Sequence, residues 1–80
     1  MREEDDPRLY VQLMFLVRGR VEGGDYRRGM PLPPLAELAD EVGCNRRTAA
    51  KSLQLLEEEG LLVRYAGLGY YVSAGPPRRT

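Results

Sequence analysis

Apolar residues recur through the first quarter of the chain at the spacing of an amphipathic helix. Steps of three or four residues put them on one helical face, which predicts a buried stripe. Pro7 suits the first turn of this helix, and the Gly23-Gly24 pair suits its end. We therefore predict a helix over residues 7–21. Its apolar positions are Leu9, Leu13, Leu16, Val17 and Val21.

Two further helices are predicted after a Gly- and Pro-rich loop, and a very short turn joins them. The first covers residues 35–42 and ends at Gly43, which suits the left-handed conformation of a helix stop. The next covers residues 45–59, because Asn45 is a favourable N-cap and Gly60 a favourable end. The buried faces of the two helices comprise Leu35, Leu38, Ala39, Val42, Ala49, Ser52, Leu53 and Leu56.

The last part of the chain has the pattern of a hairpin. Residues 61–65 and 69–73 read as strands, and Ala66-Gly67-Leu68 turns between them. We expect Tyr71 in the core, and the other tyrosines of the hairpin half exposed. Met30-Pro31-Leu32 suits a very short edge strand, where proline is tolerated.

The order of elements predicts a mainly α (α+β) fold. Two helices joined by a short glycine-containing turn form a helix-turn-helix, and a hairpin directly after them makes it winged. We predict one winged helix-turn-helix domain over residues 7–73, with three helices and a two-stranded wing. Residues 1–6 are predicted to be a disordered acidic terminus, and residues 74–80 a flexible tail or linker.

Composition excludes several kinds of chemistry. The chain has 80 residues, one cysteine and no histidine, which argues against a disulfide framework, the usual zinc sites and a histidine-based catalytic pair. We predict no enzyme activity, no cofactor and no metal. No stretch approaches the length of a membrane span, and no signal peptide opens the sequence. Cys44 is expected to be a buried packing residue.

The net charge of the chain is zero because separate basic and acidic segments cancel. Twelve Lys and Arg balance twelve Asp and Glu, and this neutrality by itself argues against nucleic acid. Residues 45–52, however, contain three bases and no acid, and residues 63–80 again contain three bases and no acid. Residues 1–6 hold four acids against one base, and three consecutive glutamates occupy residues 57–59. A local basic patch therefore covers the start of the third helix.

The start of the third helix has the pattern of a recognition helix. Arg46, Arg47 and Thr48 are predicted to occupy its exposed first turn, where recognition helices contact base edges, and Lys51 shares the face of Arg47. Two cations at a helix N-terminus oppose the dipole at a cost of about 0.3–1 kcal/mol each. No acid three or four residues away compensates that cost. A solvated surface is the simpler interpretation of two such arginines, but the helix-turn-helix spacing favours DNA contact.

The wing supplies weaker candidates. Gly67 allows a close backbone approach to DNA, although a plain hairpin turn also needs glycine. Leu68 lies next to it at the predicted tip. For Arg64, a contact to DNA phosphate and a local salt bridge are equally good interpretations.

These residues resemble the GntR-type winged helix-turn-helix family of bacterial transcription regulators. The resemblance covers about residues 9–72. It implies sequence-specific binding to double-stranded DNA, on a short palindromic operator, by a homodimeric repressor in the bacterial cytoplasm at the nucleoid. It also implies DNA contacts by Asn45, Arg46, Arg47 and Thr48, and a wing tip at Gly67. The segments that carry it are residues 30–33, 37–39, 43–48, 53–61 and 67–72.

Three departures from the family pattern each remove a charge or a cap. The family usually has Ser-Glu-Arg where this chain has Pro34-Leu35-Ala36, an arginine at Ala50, and a basic residue at Leu68. The alternative is therefore a winged-helix protein-interaction module with weak or no DNA binding. The effector-binding domain usual in the family has no room here, so no small-molecule effector site is expected within these 80 residues.

Overall fold

Three helices and an antiparallel hairpin follow one another in the predicted order. The computed structural model describes residues 7–74, so the predicted acidic terminus and all but the first residue of the predicted tail lie outside the described residues. The elements are α1 (Pro7–Glu22), α2 (Leu35–Val42), α3 (Arg46–Glu58), β1 (Leu62–Tyr65) and β2 (Gly69–Val72). The predicted fold class is confirmed. No helix among the described residues is both long and apolar enough to cross a membrane.

Local backbone chemistry fixes the turn between α2 and α3. Gly43 adopts a left-handed conformation at φ 78°, and its amide donates to the carbonyl of Ala39 at 2.9 Å. The amide of Cys44 donates to the same carbonyl at 2.9 Å, so the chain reverses at once. Asn45 then caps α3, because its Oδ1 accepts the Thr48 amide at 2.8 Å. The predicted stop and the predicted cap are both confirmed.

The core forms where the apolar faces of the three helices meet the inner face of the hairpin. Each helix buries the positions that recur at steps of three or four residues, as its sequence pattern predicts. Both strands add one fully buried residue near the base of the hairpin. The buried apolar residues are Leu13, Val17, Leu38, Ala39, Ala49, Leu53, Leu56, Leu62 and Val72.

A buried hydroxyl joins α3 to α1. Ser52 is fully buried, and its Oγ lies 2.9 Å from the carbonyl oxygen of Tyr10 and 3.1 Å from that of Thr48. The hydroxyl thus satisfies its own hydrogen-bonding need in the core, where an unpaired polar group would be costly. This contact fixes the position of the first turns of α3 relative to α1.

Two surface ion pairs hold the C-terminal half of α1 against the rest of the domain. Arg18 contacts Glu59 at 2.7 Å, and Arg20 contacts Glu41 at 2.7 Å while also donating to the hydroxyl of Tyr26 at 2.8 Å. Hydrogen bonding to the guanidinium groups lowers the pKa of both carboxyl groups and raises the pKa of both arginines. Because the pairs are largely exposed, their contribution to stability is modest.

The segment before α2 pairs with the wing, where the very short edge strand predicted at residues 30–32 is a single bridge. Pro31 forms a single antiparallel bridge with Tyr71. The carbonyl of Met30 accepts the Val72 amide at 2.9 Å, and the Leu32 amide donates to the carbonyl of Tyr70 at 3.0 Å. The loop therefore runs beside β2 and brings the start of α2 towards the wing tip.

One prediction about the wing is wrong. Tyr71 is half-buried rather than in the core, and its ring packs edge-on against that of Tyr65 at a centroid distance of 5.2 Å. Tyr70 instead packs against the core beside Val72. Side chains two residues apart share a face of a strand, so the burial of Val72 takes Tyr70 inward and leaves Tyr71 on the opposite face.

Candidate nucleic-acid interface

The first turn of α3 presents two arginines to solvent. Arg46 and Arg47 are exposed, and neither forms an ion pair or side-chain hydrogen bond with any residue between 7 and 74. The Asn45 cap sets the start of the helix directly before them. Both guanidinium groups are therefore available to an external acceptor, and their fork matches guanine or phosphate.

Lys51 belongs to the same exposed surface but leans towards α1. Its Nζ lies 4.8 Å from the ring centroid of Tyr10, which is a cation–π distance. The four-residue spacing from Arg47 keeps the two cations on neighbouring positions of one helical face. The basic surface of α3 thus runs from Arg46 across Arg47 to the boundary with α1.

The predicted exposure of Thr48 is wrong. Its accessibility is only 2%, because it lies four residues before the buried Ser52 and shares the inward face of α3. Its described contributions are the amide that Asn45 caps and the carbonyl that accepts from Ser52. The side chain of Thr48 is therefore not accessible for the expected contact with DNA.

An open groove between α3 and the wing adds a residue that the sequence reasoning missed. Gln54 is exposed and lies seven residues, about two helical turns, after Arg47 on the same face. Its amide carries both a donor and an acceptor, the pair that reads adenine in a major groove. The seven-residue spacing was the available signal. The groove, of about 480 Å³, is lined by Leu35, Ala50, Gln54, Glu57, Arg64 and Tyr70.

The wing tip is a glycine turn carrying one exposed apolar side chain. Gly67 and Gly69 adopt φ values of 81° and 101°, which residues other than glycine rarely adopt. Leu68 between them is 69% exposed. Arg64 is exposed on β1 at the groove and forms no ion pair within residues 7–74, so the local salt bridge considered for it is not present there.

The start of α2 lies beside this wing tip. A second groove is lined by residues 32–35 together with Leu53, Leu68, Gly69 and Tyr70. Pro34 precedes α2 and provides no side-chain cap, so the first amides of the helix have no such acceptor. The structure thus brings the start of α2 and the wing tip together around this second groove. The first turn of α3, with its two arginines, does not line the groove.

Cys44 is only half-buried, although it packs against the core as predicted. Burial raises the pKa of its thiol, which keeps the reactive thiolate scarce at neutral pH. No cluster of acidic or cysteine side chains within residues 7–74 has the arrangement of a metal site.

The Asn45 cap gives a direct test of how the arginine turn is positioned. We expect Asn45→Ala to lower the free energy of unfolding by about 0.5–2 kcal/mol, because the Thr48 amide loses its acceptor. Asn45→Asp keeps an acceptor and should remain close to the wild type. Urea unfolding of the three chains measures this, and an equal loss in both variants would contradict the capping role.

A helix-turn-helix followed by a hairpin defines a winged helix-turn-helix protein. The chain belongs to the gntR family of bacterial regulatory proteins, whose family model matches residues 9–72. This confirms the family predicted from the sequence.

Individual relatives agree with that assignment. The chain is 37% identical over 65 residues to the HTH-type transcriptional repressor NagR of Bacillus subtilis strain 168, covering 81% of this chain and 27% of NagR. A crystal structure of the AraR DNA-binding domain in complex with operator ORX1 superimposes with a TM-score of 0.75 at 25% identity, covering 91% of this chain and 82% of that one. YtrA from Sulfolobus acidocaldarius, a GntR-family transcription factor, gives a TM-score of 0.72 at 28% identity and covers 86% and 59%.

The match is confined to one part of the longer relatives. The chain spans little more than a quarter of the length of the curated relatives it matches, 27% of NagR and 28% of the Exu regulon transcriptional regulator of Escherichia coli K12.

Proposed function

We propose that this chain is a sequence-specific double-stranded DNA-binding domain that acts in transcription regulation, as a repressor. The observation that carries the proposal is the pair Arg46 and Arg47, exposed on the capped first turn of α3 without a partner among the described residues. A winged helix-turn-helix presents that turn to the major groove. Membership of a regulatory family and the likeness to an operator-bound domain support it.

Each residue of the interface has a distinct role in this proposal. Arg46 and Arg47 contact guanines through two parallel hydrogen bonds, and Gln54 reads an adenine further along the groove. Lys51 contacts a phosphate, and Asn45 contacts the DNA backbone at the start of α3. The wing tip at Gly67 and Leu68 approaches the minor groove or the backbone, while Arg64 reaches a phosphate from β1.

Two copies are proposed to act together on a short palindromic operator in the bacterial cytoplasm. One domain offers few base contacts, and two copies on half-sites about one helical turn apart double them. Net neutrality supports this need, because sequence-independent attraction to DNA is weak without a surplus of bases.

The decisive experiment is a selection of bound duplexes from a random pool, followed by a salt titration on the selected sequence. We expect the logarithm of affinity to fall linearly with that of salt concentration, at about −0.9 per phosphate contacted. Recovery of a palindrome containing guanines supports the proposal. Failure to enrich any sequence would contradict it.

The alternative, a protein-interaction module, is favoured by one observation, the 69% exposed Leu68 at the wing tip. A wing of that kind suits an apolar partner rather than phosphate. No enriched duplex, or binding with a flat salt response, is the result expected of this alternative.

A further inference from the structure

The outer face of α1 is apolar where a solvated surface would be polar. Phe15 is 72% exposed and Val11 is 46% exposed, one helical turn apart. The inner face of the same helix buries Leu13 and Val17 completely, so the core is packed against the opposite side of α1 from Phe15. None of the proposed DNA-contacting residues lies on α1. Phe15 and Val11 therefore belong neither to the buried core nor to the proposed DNA interface.

The residues of this face are arranged symmetrically about Phe15. Val11 and Gly19 lie four residues to either side of it, and Arg8 and Glu22 lie seven to either side. All five are exposed, and steps of three or four residues align them along one stripe of the helix. The stripe carries a positive charge at one end, a negative charge at the other and aromatic bulk at the centre.

We propose that this stripe is the surface through which two copies of the chain pair, with their α1 helices antiparallel and the two-fold axis at Phe15. In that arrangement the two Phe15 rings meet, and Val11 lies against Gly19 of the second copy. Arg8 faces Glu22 of the second copy twice, once on each side of the axis. A two-fold contact needs a surface complementary to itself, and this stripe is.

The end charges select the antiparallel arrangement. A parallel pair would bring like charges together at both ends, and like-charge contacts oppose association. In the antiparallel pair each Arg8 meets a carboxylate. The charges therefore determine orientation, while Phe15 and Val11 supply the apolar contact.

Gly19 is the second independent observation. A Cβ added there would meet nothing within 4 Å, so packing inside this chain does not require glycine. Glycine in a helix interior is unfavourable. In the antiparallel pair it opposes Val11 and allows the two helices to approach closely.

The size of the stripe indicates weak association. One helical face is smaller than the interfaces of stable dimers. The contact therefore adds to the binding energy of each copy on DNA and gives only a weak dimer by itself. This inference rests on the proposal that two copies act together on DNA, where each copy is held by its half-site. The α1 contact then produces cooperativity between the half-sites.

The test uses charge reversal and mixing. Arg8→Glu and Glu22→Arg each place like charges at both ends of the pair, whereas a mixture of the two variants restores both opposite-charge contacts. We expect each variant alone to lose self-association in sedimentation, and the mixture to form a 1:1 heterodimer. Phe15→Glu should raise the dissociation constant about tenfold or more. Gly19→Gln should weaken the pair while raising the thermal midpoint of the monomer.

Controls separate this inference from DNA binding. Met30→Glu changes an apolar residue of comparable exposure (52%) outside α1 and should leave association unchanged. Affinity of Phe15→Glu for a single half-site should equal that of the wild type, while its cooperativity on the palindrome is lost. The inference is overturned if the wild type stays monomeric and fills two half-sites independently, or if the mixed variants associate no better than each alone. Loss of half-site binding in the wild type would instead contradict the proposed function.

Discussion

Arg47→Ala is expected to bind the selected operator about 5- to 150-fold more weakly than the wild type, the range for one good bidentate base contact. The side chain is exposed and forms no described ion pair, so its removal leaves no buried group unsatisfied. The thermal midpoint should stay the same or rise slightly, because a cation is removed from the helix N-terminus. Fluorescence anisotropy with the operator and with a scrambled duplex measures both affinity and specificity.

The matched control for this variant is Arg28→Ala. Arg28 is also exposed and has no described ion pair, but it lies in the loop before β-pairing begins at the base of the wing. It should change affinity little and leave the preference for the operator intact. Arg46→Ala should behave like Arg47→Ala. Operator affinity unchanged in both α3 variants would refute the assigned reading helix.

The second large effect concerns the core under the recognition helix. Leu56 is fully buried at the junction of α3 with the rest of the core. Leu56→Ala should lower the free energy of unfolding by about 2–5 kcal/mol, since it removes apolar contacts and leaves a cavity. For a domain of this size that shifts the thermal midpoint by about 4–8 °C for each kcal/mol. Thermal unfolding followed by circular dichroism measures the shift.

Leu68→Ala is the matched control, because it makes the same chemical change at a side chain that is 69% exposed. Its effect on stability should stay within about 0.5 kcal/mol. If the two variants lost equal stability, the packing described around Leu56 would be incorrect. The control also has a separate use, because any effect of Leu68→Ala on DNA affinity reports on the wing tip.

Local signals made much of the fold predictable. Gly43 and Asn45 act through their own backbone and side-chain chemistry, so the sequence alone indicates the turn between α2 and α3. The tolerance of proline at strand edges predicts a very short edge strand at Met30-Pro31-Leu32, whereas its pairing with β2 is seen only in the structure. Arg46 and Arg47 were recognisable because they oppose the helix dipole without a compensating acid.

The wrong predictions concern which face of an element a residue occupies. Thr48 is predicted to be exposed because it lies in the first turn of the third helix, although its four-residue spacing from Ser52 puts both on the inner face. Tyr71 is predicted in the core, although Val72 beside it takes the inward position. The charge pattern of α3 does not indicate Gln54, because its amide is neutral, although its seven-residue spacing puts it on the Arg47 face.

Other features depend on tertiary structure and have no sequence signature. The ion pair of Arg18 with Glu59 joins residues 41 positions apart, and only the packing of α1 on α3 brings them together. The cation–π contact of Lys51 with Tyr10 arises in the same way. The symmetry of the outer face of α1, in contrast, is visible in the sequence, but the exposure that gives it meaning required the structure.

The separation of charge along α3 affects how the protein meets DNA. Bases occupy the start of the helix and consecutive glutamates its end, within a chain of zero net charge. Such a molecule carries no net charge for the duplex to attract, but the field exerts a torque that turns the positive end of α3 towards the phosphates. The field of the duplex therefore orients the incoming domain more than it raises the concentration of the domain near DNA. Fewer encounters then arrive with the wrong face forward, while little protein is retained at unrelated sequences.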